Sequence, residues 1–434
     1  MLSCPLNLPN FGNKSTCKVR GQTGFAPLNA VKQQTTTLEE LQMKFNKWTL
    51  GLAAVGAVSM ASAVRADEAK LSALNTALSN TTISGYVDVA AQFNTGDAPN
   101  RNSSSYVTEA DKRDAFSLNN VTISLDKPLD DSPWAAGYHI DLNTGVDAIN
   151  GFNSRYSYNA NQGTLGIRQA YIALRTPLGN GIDWKIGVMD GITGYEGNTS
   201  HLNPNYSRSF GYAINPTSYT GLLATYKFCD LVSATAGIVN RGQNQGSGQS
   251  NRRLSSKDYV ASVSLTAPES FGFLKGSSLN FQTIQGFDNN AVAIYSLNGT
   301  LNTPLAGLKI GAAYDVLNSV NRSDDGYVVG VYAVYQATDK LSFAVRAEYV
   351  DAADLNFGTA AAQNGTSGDN VYNNGFSKGE EVTATVAYNL WANVLTRLEV
   401  RWDHEQSGTF QSGNNEGADL KNQVTIALNV VYKF

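Results

Sequence analysis

From Ile83 to the C-terminus the chain alternates apolar and polar residues with a period of two, again and again. Trp134, Ala136, Tyr138, Ile140 and Leu142 interleave with Ala135, Gly137, His139, Asp141 and Asn143, and Leu398, Val400 and Trp402 interleave with Arg397, Glu399, Arg401 and Asp403. Successive side chains of a strand point to opposite faces, so each stretch carries one apolar and one polar face. After residue 66 there is no apolar run of about 18 residues, which excludes a helical membrane span. A soluble sandwich would alternate in the same way with its apolar face turned inward. The connections between the strands decide between the two architectures.

Those connections alternate short and long. Pro177–Gly181, Cys229-Asp230, Pro304–Gly307 and Thr338–Lys340 are short; 95–114, 144–163, 191–217, 241–257, 352–379 and 405–422 are long and polar. Short periplasmic turns and long outer loops are the asymmetry of outer-membrane barrels. The 288–291 connection breaks the rule, being short where a long one is due. Four turns share an L-x-x-P signature, at Leu125–Pro128, Leu174–Pro177, Leu265–Pro268 and Leu301–Pro304. Proline has no N–H for a ladder and stops a strand there, so the repeated unit is a hairpin. Aromatics at strand ends (Trp134, Trp184, Tyr226/Phe228, Trp391, Trp402, Tyr432/Phe434) match belts at two membrane interfaces.

The pattern therefore predicts an all-β fold, a transmembrane antiparallel β-barrel of about sixteen strands with fourteen to eighteen allowed. The segments are 83–94, 115–126, 134–143, 165–175, 182–190, 218–228, 231–240, 258–267, 279–287, 292–302, 308–317, 327–337, 341–351, 380–390, 396–404 and 424–434. The mean hydropathy of -0.24 does not exclude a barrel, because every second strand residue faces a polar lumen and dilutes the average. In the last segment Val424, Ile426, Leu428, Val430, Tyr432 and Phe434 form the lipid-facing row; on the other face Val431 is the apolar exception. That strand should close the barrel against 83–94. Tyr432 and Phe434 then form the aromatic ending that resembles the C-terminal signal read by the barrel-assembly machinery.

Upstream, residues 43–66 combine a basic start (Lys44, Lys47), an apolar core from Thr49 to Ala61 and a small-residue exit, the three parts of a secretory signal. Cleavage fits after Ala63 or Ala66, the second being preferred. Residues 1–42 are polar and aperiodic and read as a non-native extension upstream of a start at Met43. In 67–82 a short periplasmic helix and a frayed leader fit equally, which leaves 83–434 as the barrel domain. Setting aside 1–66 removes seven basic and two acidic residues from totals of 32 and 36, leaving a net charge of -9. Such a balance argues against a nucleic-acid partner and, taken alone, favours cations weakly in transport.

Neither metal nor cofactor is expected. The histidines (His139, His201, His404) lack ligand spacing, no C-x-x-C occurs, and no G-x-S-x-G, H-E-x-x-H or Gly-rich phosphate loop points to catalysis.

The stretch Ile167–Tyr226 resembles the OmpL-like β-barrel porins, the second such porin family. The residues that carry it are Arg168-Gln-Ala-Tyr-Ile-Ala-Leu-Arg-Thr-Pro-Leu-Gly-Asn-Gly181, Gly187-Val-Met-Asp190, Tyr195-Glu196, Asn203-Pro-Asn-Tyr-Ser-Arg-Ser-Phe-Gly-Tyr212 and Pro216-Thr217. The resemblance implies an outer-membrane channel for small hydrophilic solutes and no defined substrate. A structural or adhesive barrel with a plugged lumen is the alternative. A barrel of this size also suits a homotrimer.

With the apolar face on lipid, Arg175, Lys185, Arg346, Glu348, Arg397, Glu399, Arg401 and Asp403 point inward. The R-x-E pairs, Arg346/Glu348 and Arg397/Glu399, place opposite charges on one face. They either impose a transverse field on a constriction or form local salt bridges. Loop 191–217, with Glu196 and Arg208 among several tyrosines, is the candidate to fold in as the constriction. Most of its tyrosines are expected to pack the loop against the wall.

Overall fold

The computed structural model describes residues 80–95, 112, 114–147, 165–240, 257–286, 292–319, 325–351, 378–406, 410–411 and 419–434. The extension 1–42, the signal 43–66, nearly all of the leader 67–82, most of the long outer loops and the 288–291 connection lie outside them.

Sixteen antiparallel strands close into one barrel. They are β1 (Thr82–Thr95), β2 (Ala115–Lys127), β3 (Ala136–Thr144), β4 (Gly166–Thr176), β5 (Ile182–Asp190), β6 (Ser218–Lys227), β7 (Val232–Val239), β8 (Asp258–Thr266), β9 (Ser278–Gln285), β10 (Val292–Asn302), β11 (Leu308–Ser319), β12 (Asp325–Gln336), β13 (Leu341–Asp351), β14 (Lys378–Trp391), β15 (Val394–Glu405) and β16 (Asn422–Lys433). Each strand pairs with its sequence neighbour, and β16 returns to β1 from Tyr86↔Lys433 to Thr95↔Val424. Closure leaves no strand edge unpaired, which is what a sheet needs where no water can satisfy its amides. Among the described residues no helix is long and apolar enough to cross a membrane.

The alternation read in the sequence is the inside–outside alternation of the barrel. In β16, Ile426, Leu428 and Tyr432, and Phe434 just beyond it, are exposed on the outer face, while Thr425, Ala427, Asn429 and Val431 are buried inside. Exposed aromatics gather at both ends of the wall: Trp134, Phe228, Trp391 and Phe434 at the short-turn end, Phe93, Phe116 and Tyr259 at the long-loop end. All four L-x-x-P prolines stand just beyond strand ends, after β2, β4, β8 and β10. β3 begins at Ala136 rather than Trp134, because Ser132 folds back onto Asp130 and holds the preceding residues in a turn.

Phe434 extends the seam beyond β16. Its N–H and carbonyl exchange hydrogen bonds with Gly85 at 3.0 and 2.9 Å, and its ring lies where a Cβ on residue 85 would stand, 2.6 Å from Cζ. Glycine is required at 85 because a Cβ there would stand 2.2 Å from the Thr122 carbonyl oxygen as well as in the place of the terminal ring.

Candidate functional site

The segment between β5 and β6 is rich in Gly, Asn, Ser and Pro, a composition that resists regular strand pairing. Residues 191–217 turn into the barrel, through a 3₁₀ turn at Ser200–Leu202 and a short helix α1 (Phe210–Ile214). Ser209 caps α1, its Oγ accepting the Tyr212 N–H at 2.9 Å. Tyr206, Ser207, Arg208, Ser209 and Phe210 are buried, as the inner layer of a protein would be.

Irregular backbone inside a barrel must find partners for every N–H and C=O it loses from regular structure. Here the lumen face of β13–β15 supplies them. Glu399 accepts the Tyr206 and Ser207 N–H groups at 2.5 and 2.8 Å and the Thr385 hydroxyl at 2.7 Å. Glu348 accepts the Phe210 N–H, at the start of α1, and the Tyr332 hydroxyl at 2.8 Å. The arginines serve the carbonyls. Arg397 Nη1 donates to the Ser200, Asn203 and Asn205 oxygens at 2.9–3.1 Å. Arg346 bonds Glu381 and, across the lumen, Glu196 at 2.7 Å and the Ser207 carbonyl at 2.9 Å. Arg401 grips Asp403 at 2.8 Å and the Arg208 carbonyl at 2.6 Å. On the first strand, Asp88 accepts the Ser200 hydroxyl and the Asn429 amide.

The other flank of the loop is apolar. Phe210 and Ile214 belong to one buried cluster with Ile284, Ile294, Leu317, Val328 and Val350, inward residues toward the long-loop ends of β9–β13. Tyr195 stacks on Tyr332 at 4.0 Å and shares a hydrogen bond with Thr300 at 3.1 Å. A Cβ at Gly311 would stand 2.1 Å from the Tyr195 hydroxyl, so glycine there opens the seat for the ring. Tyr212 donates to Asn198 at 2.7 Å and Tyr219 bonds Thr193 at 3.1 Å. The tyrosines fasten the loop.

The sequence-derived inward set thus divides in two. Arg346, Glu348, Arg397, Glu399, Arg401 and Asp403 face inward and lie under the loop, each at most 5% exposed. The R-x-E members do not pair with each other: Arg346 turns to Glu381 and Glu196, and Glu399 turns to loop amides. Glu196 also accepts the Ser209 N–H, and Arg208 donates to the Asn198 carbonyl while lying over the Tyr212 ring. Arg175 and Lys185 stand apart, toward the short-turn end of β4 and β5. Arg175 is paired with Asp183 at 2.6 Å; Lys185 is exposed, over the Tyr171 ring. Sequence reasoning missed Glu381 and Asp88, both fully buried, although each sits in the inward phase of its strand.

His201 packs edge-on against Tyr86 at 4.8 Å. Burial, with Lys433 and Arg397 nearby, pushes its imidazole down to about 4, so it is neutral at neutral pH. Among the described residues no group of His, Cys, Asp or Glu is placed to hold a metal ion.

The family model described as "Putative beta-barrel porin-2, OmpL-like" matches residues 80–434. Three solved structures share the fold at low identity. The outer membrane channel DcaP of Acinetobacter baumannii is 13% identical over 82% of this chain and 97% of its own, with a TM-score of 0.50. An anion-selective porin from Comamonas acidovorans is 11% identical over 82% and 99%, at 0.52. Salmonella typhi OmpF, in a complex with daunomycin, is 12% identical over 82% and 97%, at 0.50. No curated protein matches the chain.

Proposed function

Because the chain belongs to the OmpL-like β-barrel porin-2 family, it is a porin of the outer membrane, and we propose that small hydrophilic solutes diffuse through its lumen, past loop 191–217 and along the short-turn half of β5–β11. A sixteen-strand barrel is wide enough to leave an aqueous lumen. The observation that carries the reading is the polarity of the uncovered wall. Thr225, Thr235, Ser262, Ser264 and Asn280 face inward and are only half-buried, whereas the inward charges of β13–β15 are sealed under the loop. Neutral hydroxyls and amides hydrogen-bond to water and to passing solutes without holding them.

Loop 191–217 is the constriction in this reading, and Glu196 and Arg208 hold its shape rather than touch the solute. The pore does no chemistry; it orders and filters. Lipid surrounds the outer face, the barrel-assembly machinery reads Tyr432 and Phe434, and three copies assemble as a homotrimer.

Purified protein in planar bilayers tests the central claim, with stepwise conductance as the expected result. Deleting residues 198–210 should raise the single-channel conductance; an unchanged step would remove the loop from the path. The tight fastening of the loop, with Arg346 and Asp403 wholly buried, favours one rival, a plugged structural barrel. Silence in the bilayer by the intact protein, with current only after the deletion, would establish that rival.

A further inference from the structure

Among the described residues, the charges that face water inside the barrel without an ion-pair partner are of one sign. Lys185 on β5 and Lys309 on β11 both point inward and are exposed, and Lys433 on β16 points inward half-buried. The inward phase of Lys309 follows from Gly311, two residues on, which faces Tyr195 of the inner loop. That of Lys433 follows from Val431 and Asn429, both fully buried within. Among the described residues none of the three has a carboxylate in ion-pair reach, and Lys185 rests instead 4.7 Å from the centre of the Tyr171 ring.

Most inward carboxylates are buried out of reach of the water path. Asp88, Asp315, Glu348, Glu381, Glu399 and Asp403 are at most 5% exposed. Asp141, also buried, meets His139 and Arg168. The inward acids that keep substantial exposure are matched, Asp126 by His139, Asp183 by Arg175 and Asp190 by Arg168. Exposed acids at the same end, such as Asp130, Asp131 and Asp339, sit in the turns beyond the strands.

On the reading that solutes pass along β5–β11, we infer that the path prefers anions and that Lys185 and Lys309 set the preference. The net charge of the chain points the other way. Total charge is dominated by groups outside the lumen, and those are screened over a Debye length of about 8 Å at physiological salt. Fixed charges in a narrow aqueous path with low-dielectric walls act undiluted, because the walls focus the field into the water. The charges under the loop lie away from the water path, and Arg346 and Arg401 are largely cancelled there by Glu196, Glu381 and Asp403. Two uncancelled ammonium groups outweigh many cancelled ones. The substrate class follows: small anions, and hydrophilic solutes carrying a carboxylate or phosphate, should pass ahead of cations of equal size.

The test is the zero-current potential of the full chain in a planar bilayer with a KCl gradient. Wild type should pass chloride ahead of potassium. The double variant Lys185→Glu/Lys309→Glu should lower the chloride-to-potassium permeability ratio by about threefold or more. Lys185→Gln/Lys309→Gln should fall between and serves if the glutamates impair assembly. Lys275→Glu, on an exposed turn and away from the strands, changes net charge by as much as the glutamine pair does and should leave the ratio near wild type. A wild-type potential that favours potassium overturns the inference while leaving the channel reading intact. So does a ratio that the glutamine and glutamate pairs leave unmoved. Absence of any conductance overturns the channel reading and the inference with it.

Discussion

On β13–β15 the lumen face is crowded with charge, and every one of those charges is buried; on β5–β11 it is apolar where the loop packs and hydroxyl and amide toward the short turns, and the unpaired Lys185 and Lys309 stand in water. The difference lies in what covers each wall. Loop 191–217 brings N–H and C=O groups that have no strand partner, and the charged wall answers them with carboxylates and guanidinium groups. Burying charge costs several kcal/mol per ion unless each is paired and hydrogen-bonded. Arg346, with Glu381, Glu196 and a loop carbonyl, meets that condition. A dense charged patch can therefore be structural cement, while a sparse one sets the electrostatics seen by a solute.

Breaking the cement should have the largest effect. Arg346→Ala leaves Glu196 and Glu381 buried without their partner, and should cost about 3–5 kcal/mol of loop docking. The readout is cleavage of the loop by added protease and erratic current in single channels. Arg346→Lys should recover only part, since one ammonium cannot reproduce the fork. Next comes Glu399→Gln, which sets an amide NH₂ against either the Tyr206 or the Ser207 N–H donor; a loss of about 1–3 kcal/mol is expected, measured by the same protease assay. If Glu399→Gln left both protection and current unchanged, the clamped wall would not be what holds the loop.

Removing Phe434 touches neither wall. It uncovers Gly85 and deletes the last rung of the seam, so heat-modifiable folded barrel should fall several-fold in the membrane while the channels that do form keep their conductance. On the open wall Ser262→Ala should shift stability by no more than about 0.5 kcal/mol and leave the loop protected, a direct contrast with Arg346→Ala.

A separate effect is one of pH. His201 is neutral in the docked loop, its folded value near 4 lying below the ordinary value of 6.5. A group depressed in this way favours docking above its free value and withdraws that support as pH falls from about 6.5 toward 4. Loop opening events should become modestly more frequent over that window, and His201→Asn should flatten the profile.

Much of the architecture was legible before any coordinates. The limits of β5, β10 and β13 follow from the alternation alone, because a half-buried strand has to alternate and a proline or polar run has to end it. The inward phase of Arg397, Glu399, Arg401 and Asp403 was legible for the same reason. So was the entry of loop 191–217 as an expectation, from its length and position. Its partners were not. Arg346 and Glu348 look like a pair at i, i+2, yet Arg346 reaches Glu381 on the next strand and Glu196 from the far side of the barrel. The short-range pattern of a strand says which face a residue takes and nothing about what lies opposite.

The sequence by itself determined a closed hairpin array with an apolar outside and a polar inside, because period two, turn chemistry and aromatic ends are local properties of the chain. Only the tertiary structure decided which of the inward charges meet water. That depends on where loop 191–217 comes to rest, on contacts between residues up to some two hundred positions apart such as Arg397 and Ser200, and local periodicity carries no record of them. The terminal Phe434 shows both halves at once: its outward phase is written in β16, but its resting place over Gly85 exists only when the barrel closes.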